Sequence, residues 1–265
     1  MTGAPPIVGR AAELEAGLAA YARAAAGESG VLLVSGEAGI GKTRLVEALC
    51  EQAVSAPDGT QVRIGESAPL AGAALAYGPF LAALRDQAEW LLNSDGPADG
   101  SDMLVERHRL FVRVHGVLAE LAARAPLVLV LEDLHWADDS SRELLAFLAV
   151  WLRREPVLVI ATLREEDIGT DTRRWLAELE RRPRVTRLRL AGLADAEVAE
   201  LVSGLRPAGA GADWTAAVVS AADGNPLYAR ELASAGPDTP PASIADAVLA
   251  RAAVIPAEAL SLIHI

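Results

Sequence analysis

The segment Gly36-Glu37-Ala38-Gly39-Ile40-Gly41-Lys42-Thr43 fits the pattern G-x-x-x-x-G-K-[ST] in full, and no other stretch constrains the fold as much. Such a loop needs a buried strand before it and a helix after it. Val31-Leu32-Leu33-Val34 is a short continuous apolar run of the kind covered on both faces in a parallel sheet. From Thr43 onward Leu45, Leu49 and Cys50 fall on one helical face. Lys42 is the only lysine of the chain; every other Lys/Arg position is arginine. Codon bias explains the depletion but not the address of the survivor. A compact ammonium on a flexible stem reaches phosphate oxygens as a point charge, whereas the broad guanidinium fork does not fit so tight a loop. Gly36 opens the loop, the backbone N–H groups of Gly39, Gly41, Lys42 and Thr43 would wrap phosphates at the positive end of the helix, and Thr43 would ligate Mg²⁺.

The remaining pattern alternates. Ala11 to Ala26 reads as an amphipathic helix, Val62 to Gly65 as a strand, Tyr77 to Leu92 as a helix and Asn93 to Asp102 as a loop. Met103 to Ala125 is a long helix stopped by Pro126, and Leu127 to Leu131 is a second strongly apolar strand. Ser140 and Glu143 have capping-box spacing for a helix ending near Arg154. Val157 to Ala161 is a further buried strand, and Val185 to Leu190, interrupted by Arg187 and Arg189, an edge strand. After Gly192 the strands stop, and Asp195–Leu205, Trp214–Ala222, Leu227–Ala235 and Ser243–Ala253 all have helical pattern. The expected fold is α/β, a parallel five-stranded sheet flanked by helices over residues 1–192, followed by a small helical lid domain over 193–259.

A phosphate loop needs an acidic partner at the tip of a neighbouring strand. Leu127 to Leu131 closes on Glu132-Asp133, the Walker B arrangement, in which one acid orients the Mg²⁺ shell and the other polarises water. By position Glu132 faces the metal with Thr43, and Asp133 is the base; the order is the reverse of the Asp-Glu pair of vigorous ATPases. Thr162 and Arg164 lie just past the strand ending at Ala161, where ligands of open α/β sheets collect. They are placed to sense a γ-phosphate, with a plain surface arginine as the competing reading of Arg164. Gly224-Asn225-Pro226-Leu227 reads by itself as a turn before a helix.

Other features carry less. Gly65-Glu66-Ser67-Ala68-Pro69 lacks the closing glycine of a nucleophile elbow. His108 and His115 lie on one helix face without a third ligand. Arg173, Arg174, Arg181 and Arg182 read as a solvated face, with an arginine finger toward a neighbouring copy as the alternative. Cys50, the single cysteine, reads as a buried small hydrophobe. The net charge of −12 and the lack of a clustered basic block argue against a nucleic-acid surface within these residues. No apolar run approaches the roughly 20 residues of a membrane span, so a cytoplasmic location and no membrane contact are expected.

Taken with Val8-Gly9-Arg10, Glu13-Leu14, Leu131-Glu132-Asp133-Leu134-His135-Trp136-Ala137-Asp138, Thr162 to Arg164 and Gly224 to Leu227, the P-loop gives the chain a resemblance. It resembles the signal-transduction (STAND) branch of the AAA+ ATPases, especially large ATP-binding regulators of the LuxR type and relatives with an Orc1-like AAA module. The resemblance implies that Val8 and Arg10 lie near the base or ribose and that Pro226 closes over the adenine. It implies ATP/ADP and Mg²⁺ as cofactors and a slow ATPase acting as a switch. Self-association on ATP binding, and DNA binding through a C-terminal domain outside this sequence, are the further expectations. A non-hydrolysing nucleotide-dependent scaffold and a P-loop phosphotransferase are the alternatives. Leu260 to Ile265 correspond codon for codon to CTG TCT CTT ATA CAC ATC, a transposase mosaic end, so residues 260–265 are expected to be adapter-derived and the lid incomplete. A genomic read with the same codons followed by a native stop would sink that expectation.

Overall fold

The computed structural model describes residues 7–67, 75–87, 103–206, 210–211 and 213–234. They form two compact units. One comprises Ala11–Glu37 and the described part of Lys42–Leu190; the other joins residues 7–10, Ala38–Gly41 and the described residues from Ala191 onward.

The first unit alternates helix and strand: α1 (Ala11–Ala25), β1 (Gly30–Ser35), α2 (Lys42–Val54), β2 (Gln61–Glu66), α3 (Gly78–Ala83), α4 (Met103–Ala122), β3 (Leu127–Glu132), α5 (Asp139–Trp151), β4 (Val157–Leu163), α6 (Thr170–Glu180) and β5 (Val185–Arg189). A single 3-10 turn, Leu134–Trp136, joins β3 to α5. The five strands are parallel, in the order β2-β3-β4-β1-β5. The chain thus makes the expected α/β sheet, with β5 on an edge as its alternating arginines require.

The strand bodies are apolar because both faces are covered. Leu127, Leu129 and Leu131 share one core cluster with Val157, Val159 and Ala161, packed against Phe80, Leu118, Leu145 and Leu176 from α3 to α6. The intervening Val128, Val130, Leu158 and Ile160 are equally buried, with α1 and α2 against that side of the sheet. Gly65 is a fixed choice: a Cβ there would lie 1.7 Å from the Pro79 carbonyl oxygen, so α3 can pack its backbone on β2 only over a glycine. In register, Ser35 pairs with Leu163, Leu131 with Ala161 and Glu66 with Glu132. The carboxyl ends of β1, β3 and β4 therefore finish at the same rim.

Two local expectations are corrected. The Ser140–Glu143 box does not form. Helix α5 starts two residues earlier, capped by Asp138, whose carboxylate accepts the N–H groups of Ser140 (2.9 Å), Ser141 (3.2 Å) and Tyr77 (3.2 Å). Glu143 pairs instead with Arg107 at 2.6 Å. A carboxylate with two acceptor oxygens serves several orphan amides at once, which a serine hydroxyl cannot. The helix expected over Tyr77–Leu92 is broken at one residue: α3 ends at Ala83, Leu84 (φ −107°, ψ 31°) leaves helical geometry, and residues 85–87 are helical again. Its span beyond residue 87 lies outside the described residues, as do the whole of the 93–102 loop, the 243–253 helix and residues 260–265.

The second unit is helical: α7 (Asp195–Ser203), α8 (Trp214–Ala222) and α9 (Pro226–Ser234). Val198, Val202, Trp214, Val218, Ala222, Ala229 and Leu232 make its core, with Leu193 beside them. The Leu193 N–H donates to the Gly224 carbonyl at 2.7 Å, closing the turn between α8 and α9 in which Gly224 has φ +74°.

Candidate functional site

In the α/β unit, Lys42 opens α2 and is 7% exposed, its Nζ donating to the carbonyls of Gly36 (2.8 Å) and Glu37 (2.7 Å). Burial pulls its pKa down, partly offset by Glu166 and, more weakly, by Asp133 and Asp167, while Arg164 adds to the depression. These charges thus converge on one ammonium. Thr43, next on the helix, is exposed.

Glu132 ends β3, half-buried, and its carboxyl is pushed above the ordinary glutamate range by burial first, then by Asp133, Glu66 and Glu47. Glu66 is its in-register neighbour on β2. This crowding of like charge is what a divalent cation relieves. Asp133 leaves the strand in the left-handed region (φ 52°), which aspartate tolerates better than most residues. Its N–H donates to Thr162 Oγ1 at 2.9 Å. Thr162 is 2% exposed, so the hydroxyl expected to sense phosphate is engaged in fixing the tip of β3 to that of β4.

Arg164 follows β4. Its N–H donates to His135 Nδ1 (3.4 Å), and its Nη1 lies 3.6 Å from Asp167 Oδ2. Beneath it, Ser35 Oγ, the last residue before the P-loop, donates to Glu165 Oε1 at 2.8 Å. Arg187 of β5 ties these together, donating from Nε to Ser35 Oγ (2.9 Å), from Nη2 to Glu165 (2.7 Å) and from Nη1 to Glu180. The start of the P-loop, the Arg164 loop and the edge strand are thus one hydrogen-bonded network.

In the helical unit, Arg10 is 4% exposed and its Nη2 donates to the carbonyls of Ile40 (3.1 Å) and Ala191 (2.6 Å). The residue expected near base or ribose therefore braces main chain. Val8 is half-buried. Asn225 caps α9, its Oδ1 accepting the N–H groups of Leu227 (3.1 Å) and Tyr228 (3.4 Å), with Pro226 as the first helical residue. Its Nδ2 donates to the Ala38 carbonyl at 2.9 Å, and the Leu227 N–H reaches the Gly39 carbonyl at 3.3 Å. Gly39 (φ +77°) permits this approach, since a Cβ there would sit 2.7 Å from Leu227 Cβ. Gly41 (φ +101°) has nothing within 4 Å of a would-be Cβ among the described residues.

The α/β unit thus gathers Gly36, Lys42, Thr43, Glu132, Asp133, Thr162 and Arg164, while Val8, Arg10, Gly39, Gly41 and Pro226 belong to the helical unit. The sequence assigns no role in the site to His135 or Asn225, although both lie in segments that carry the resemblance, and none to the Ser35–Glu165–Arg187 network. Only Asn225 carried a local signal, a cap residue before a proline-started helix. Arg173, Arg174 and Arg181 are exposed. His115 lies 3.5 Å from Glu155, and His108 packs edge-on against Phe147. Burial pushes the Cys50 thiol up to about 11, as befits an unreactive core residue. Among the described residues no group of three or more His, Cys, Asp or Glu is arranged to hold a metal, and no helix is long and apolar enough to cross a membrane. A hydroxyl and one crowded carboxylate suit Mg²⁺, which takes one or two protein oxygens and fills its shell with water and phosphate.

Residues 6–160 match the family model described as AAA ATPase domain. The chain belongs to this family. Among solved structures, this AAA ATPase domain is similar to Orc1 of Aeropyrum pernix in complex with DNA (TM-score 0.55, 17% identity), covering 86% of this chain and 59% of that one. It is also similar to a signal transduction ATPase with numerous domains, carrying a tetratricopeptide repeat sensor, from Pyrococcus horikoshii (TM-score 0.53, 19% identity; 89% of this chain, 31% of that one). Likeness at that identity shows the shared fold. An uncharacterized protein of Rhizobium meliloti is 26% identical over 193 residues, covering 60% of this chain and 18% of the relative. The chain spans less than a fifth of that relative's length.

Proposed function

We propose that this AAA ATPase domain binds ATP and hydrolyses it slowly, as the switch module of a multidomain signal-transduction or transcriptional regulator of the LuxR type. The observation that carries the reading is the common rim of β1, β3 and β4, where Lys42, Asp133 and Arg164 share one electrostatic neighbourhood and Glu132 adjoins it through Asp133. In this reading Lys42 gives up its two carbonyl partners to phosphate oxygens. Thr43 and Glu132 hold Mg²⁺, which when bound supplies positive charge beside the phosphates. Asp133, fixed through its amide by Thr162, orients the attacking water and takes its proton, and Arg164 reads the γ-phosphate. The shorter Asp133 side chain in the base position fits slow turnover. Residues up to 192 make the nucleotide-binding domain and those from 193 a helical lid with Pro226 at the adenine; ATP and ADP favour different arrangements of the two, and self-association accompanies the ATP state. Output lies in domains beyond this sequence, and the setting is cytoplasmic.

Saturating Mg·ATP is expected to raise the melting temperature, since ligand at about 100 times its Kd adds roughly 2.7 kcal/mol. Lys42→Ala abolishes the shift; identical shifts in wild type and Lys42→Ala would defeat the binding reading. Phosphate release in the absence of any acceptor, lost in Asp133→Asn, supports an ATPase. Binding without release supports the scaffold, and release only with an acceptor supports a phosphotransferase.

A further inference from the structure

Asp133 and Arg164 leave neighbouring strands on separate loops, and one side chain lies against both. The His135 side chain is 1% exposed. Its Nδ1 accepts the Arg164 N–H at 3.4 Å and lies 3.8 Å from Asp133 Oδ1. A backbone amide can only donate, so Nδ1 is the acceptor and the ring proton sits on Nε2. Nε2 has no hydrogen-bond partner among the described residues; Asp167 Oδ2 lies 3.6 Å from it, the same oxygen that lies 3.6 Å from Arg164 Nη1. The two ring nitrogens thus face the first and last residues of the 164–167 turn. Trp136 packs edge-on to the ring at 5.6 Å. Burial, outweighing the nearby carboxylates, keeps the imidazole below its ordinary range and so neutral at pH 7.

We infer that His135 is a positioning residue: it sets the Arg164 loop relative to Asp133, so that recognition of a γ-phosphate by Arg164 depends on the imidazole. The inference rests on the ATP-binding reading above. A rigid ring suits the task, because from a single anchor just after β3 it holds the Arg164 end of the turn through Nδ1 and fills the space beside Asp167 at the other end. An aliphatic side chain would fill the same space and leave the Arg164 amide without an acceptor.

The test is calorimetric titration of the full chain with Mg·ADP and with a non-hydrolysable Mg·ATP analogue, read as the ratio of their Kd values. Arg164→Ala is expected to cut the preference for the γ-phosphate about tenfold, the scale of one charge-assisted hydrogen bond. His135→Ala should cut it about fivefold with the ADP affinity within about twofold of wild type. His135→Asn, whose amide oxygen stands where Nδ1 does, should restore most of the preference. If Arg164→Ala loses the preference and His135→Ala keeps it, the role of His135 is overturned and the ATP reading survives. If His135→Ala weakens ADP as much as the analogue, His135 is only structural. If Arg164→Ala changes nothing, the sensor role and this inference fall together while binding at Lys42 stands. Should His135→Ala not fold, His135→Asn decides alone, and a folded His135→Asn without the γ-phosphate preference overturns the inference.

Discussion

In β3 and β4 the strand bodies and the strand tips are opposites. Leu127 to Leu131 and Val157 to Ala161 are apolar and at most 1% exposed. Within three residues of those runs come Glu132, Asp133 and Arg164, charged and only partly covered. The bodies satisfy every demand at once: parallel hydrogen bonding, apolar faces and helices on both sides. The tips do not. Glu132 is held among three other carboxylates, Asp133 takes a left-handed backbone, and His135 keeps a ring nitrogen without a hydrogen-bond partner among the described residues. Such local conflicts recur where a chain is shaped for binding, and the adjoining body is what holds them in place.

That contrast can be broken from either side. The largest effect belongs to the body: Leu129→Ala, at a fully buried position, is expected to cost about 3 kcal/mol, read as a lower urea midpoint with an unchanged slope. Next comes the tie beneath the tips. Arg187→Ala removes the shared partner of Ser35, Glu165 and Glu180 and should cost about 2 kcal/mol, below the value for a fully buried pair because Glu165 is 41% and Glu180 30% exposed. At the tip itself the sign reverses. Glu132→Gln relieves like-charge crowding and should raise stability by about 0.5–1 kcal/mol without Mg²⁺, while weakening Mg²⁺-dependent nucleotide binding; a destabilised Glu132→Gln would mean that the tip is not under charge stress.

The smallest effect sharpens the comparison through pH. His135 has its pKa lowered by burial, with Asp133 and Asp167 opposing and Arg164 and Lys42 reinforcing. The unfolded chain therefore takes up a proton that the folded one refuses, and stability falls as pH drops below about 6.5. The loss, well under about 1 kcal/mol, should be absent from His135→Asn. Parallel pH curves for the two proteins between pH 7 and 5 would contradict it.

What could be read from the sequence follows the same division. The strand bodies, the P-loop and the Glu132-Asp133 tip were legible because each is a local pattern: an apolar run, a loop motif, a run ending in acid. Glu143 was misassigned because spacing suggests a cap but does not show that Asp138 already serves three amides, one of them 61 residues earlier in the chain. The Asn225–Ala38 bond joins residues 187 apart, and the Arg187–Ser35 bond residues 152 apart. Nothing in either segment states the other's position. The reading of Thr162 as a sensor fails to anticipate its bond to Asp133 for the same reason: β3 and β4 are adjacent only once the sheet has formed.

The solitary lysine has a practical corollary. A lysine-specific protease has one bond to cut in the entire chain, Lys42–Thr43, and that bond lies in the first turn of α2 with the side chain buried. Cleavage requires that turn to open, so the rate at which a single cut appears is a direct measure of how often it does. Amine-acylating reagents are similarly confined to the chain terminus and this one Nζ. These 265 residues thus carry their own single-site reporter, without engineering, where phosphate is proposed to bind.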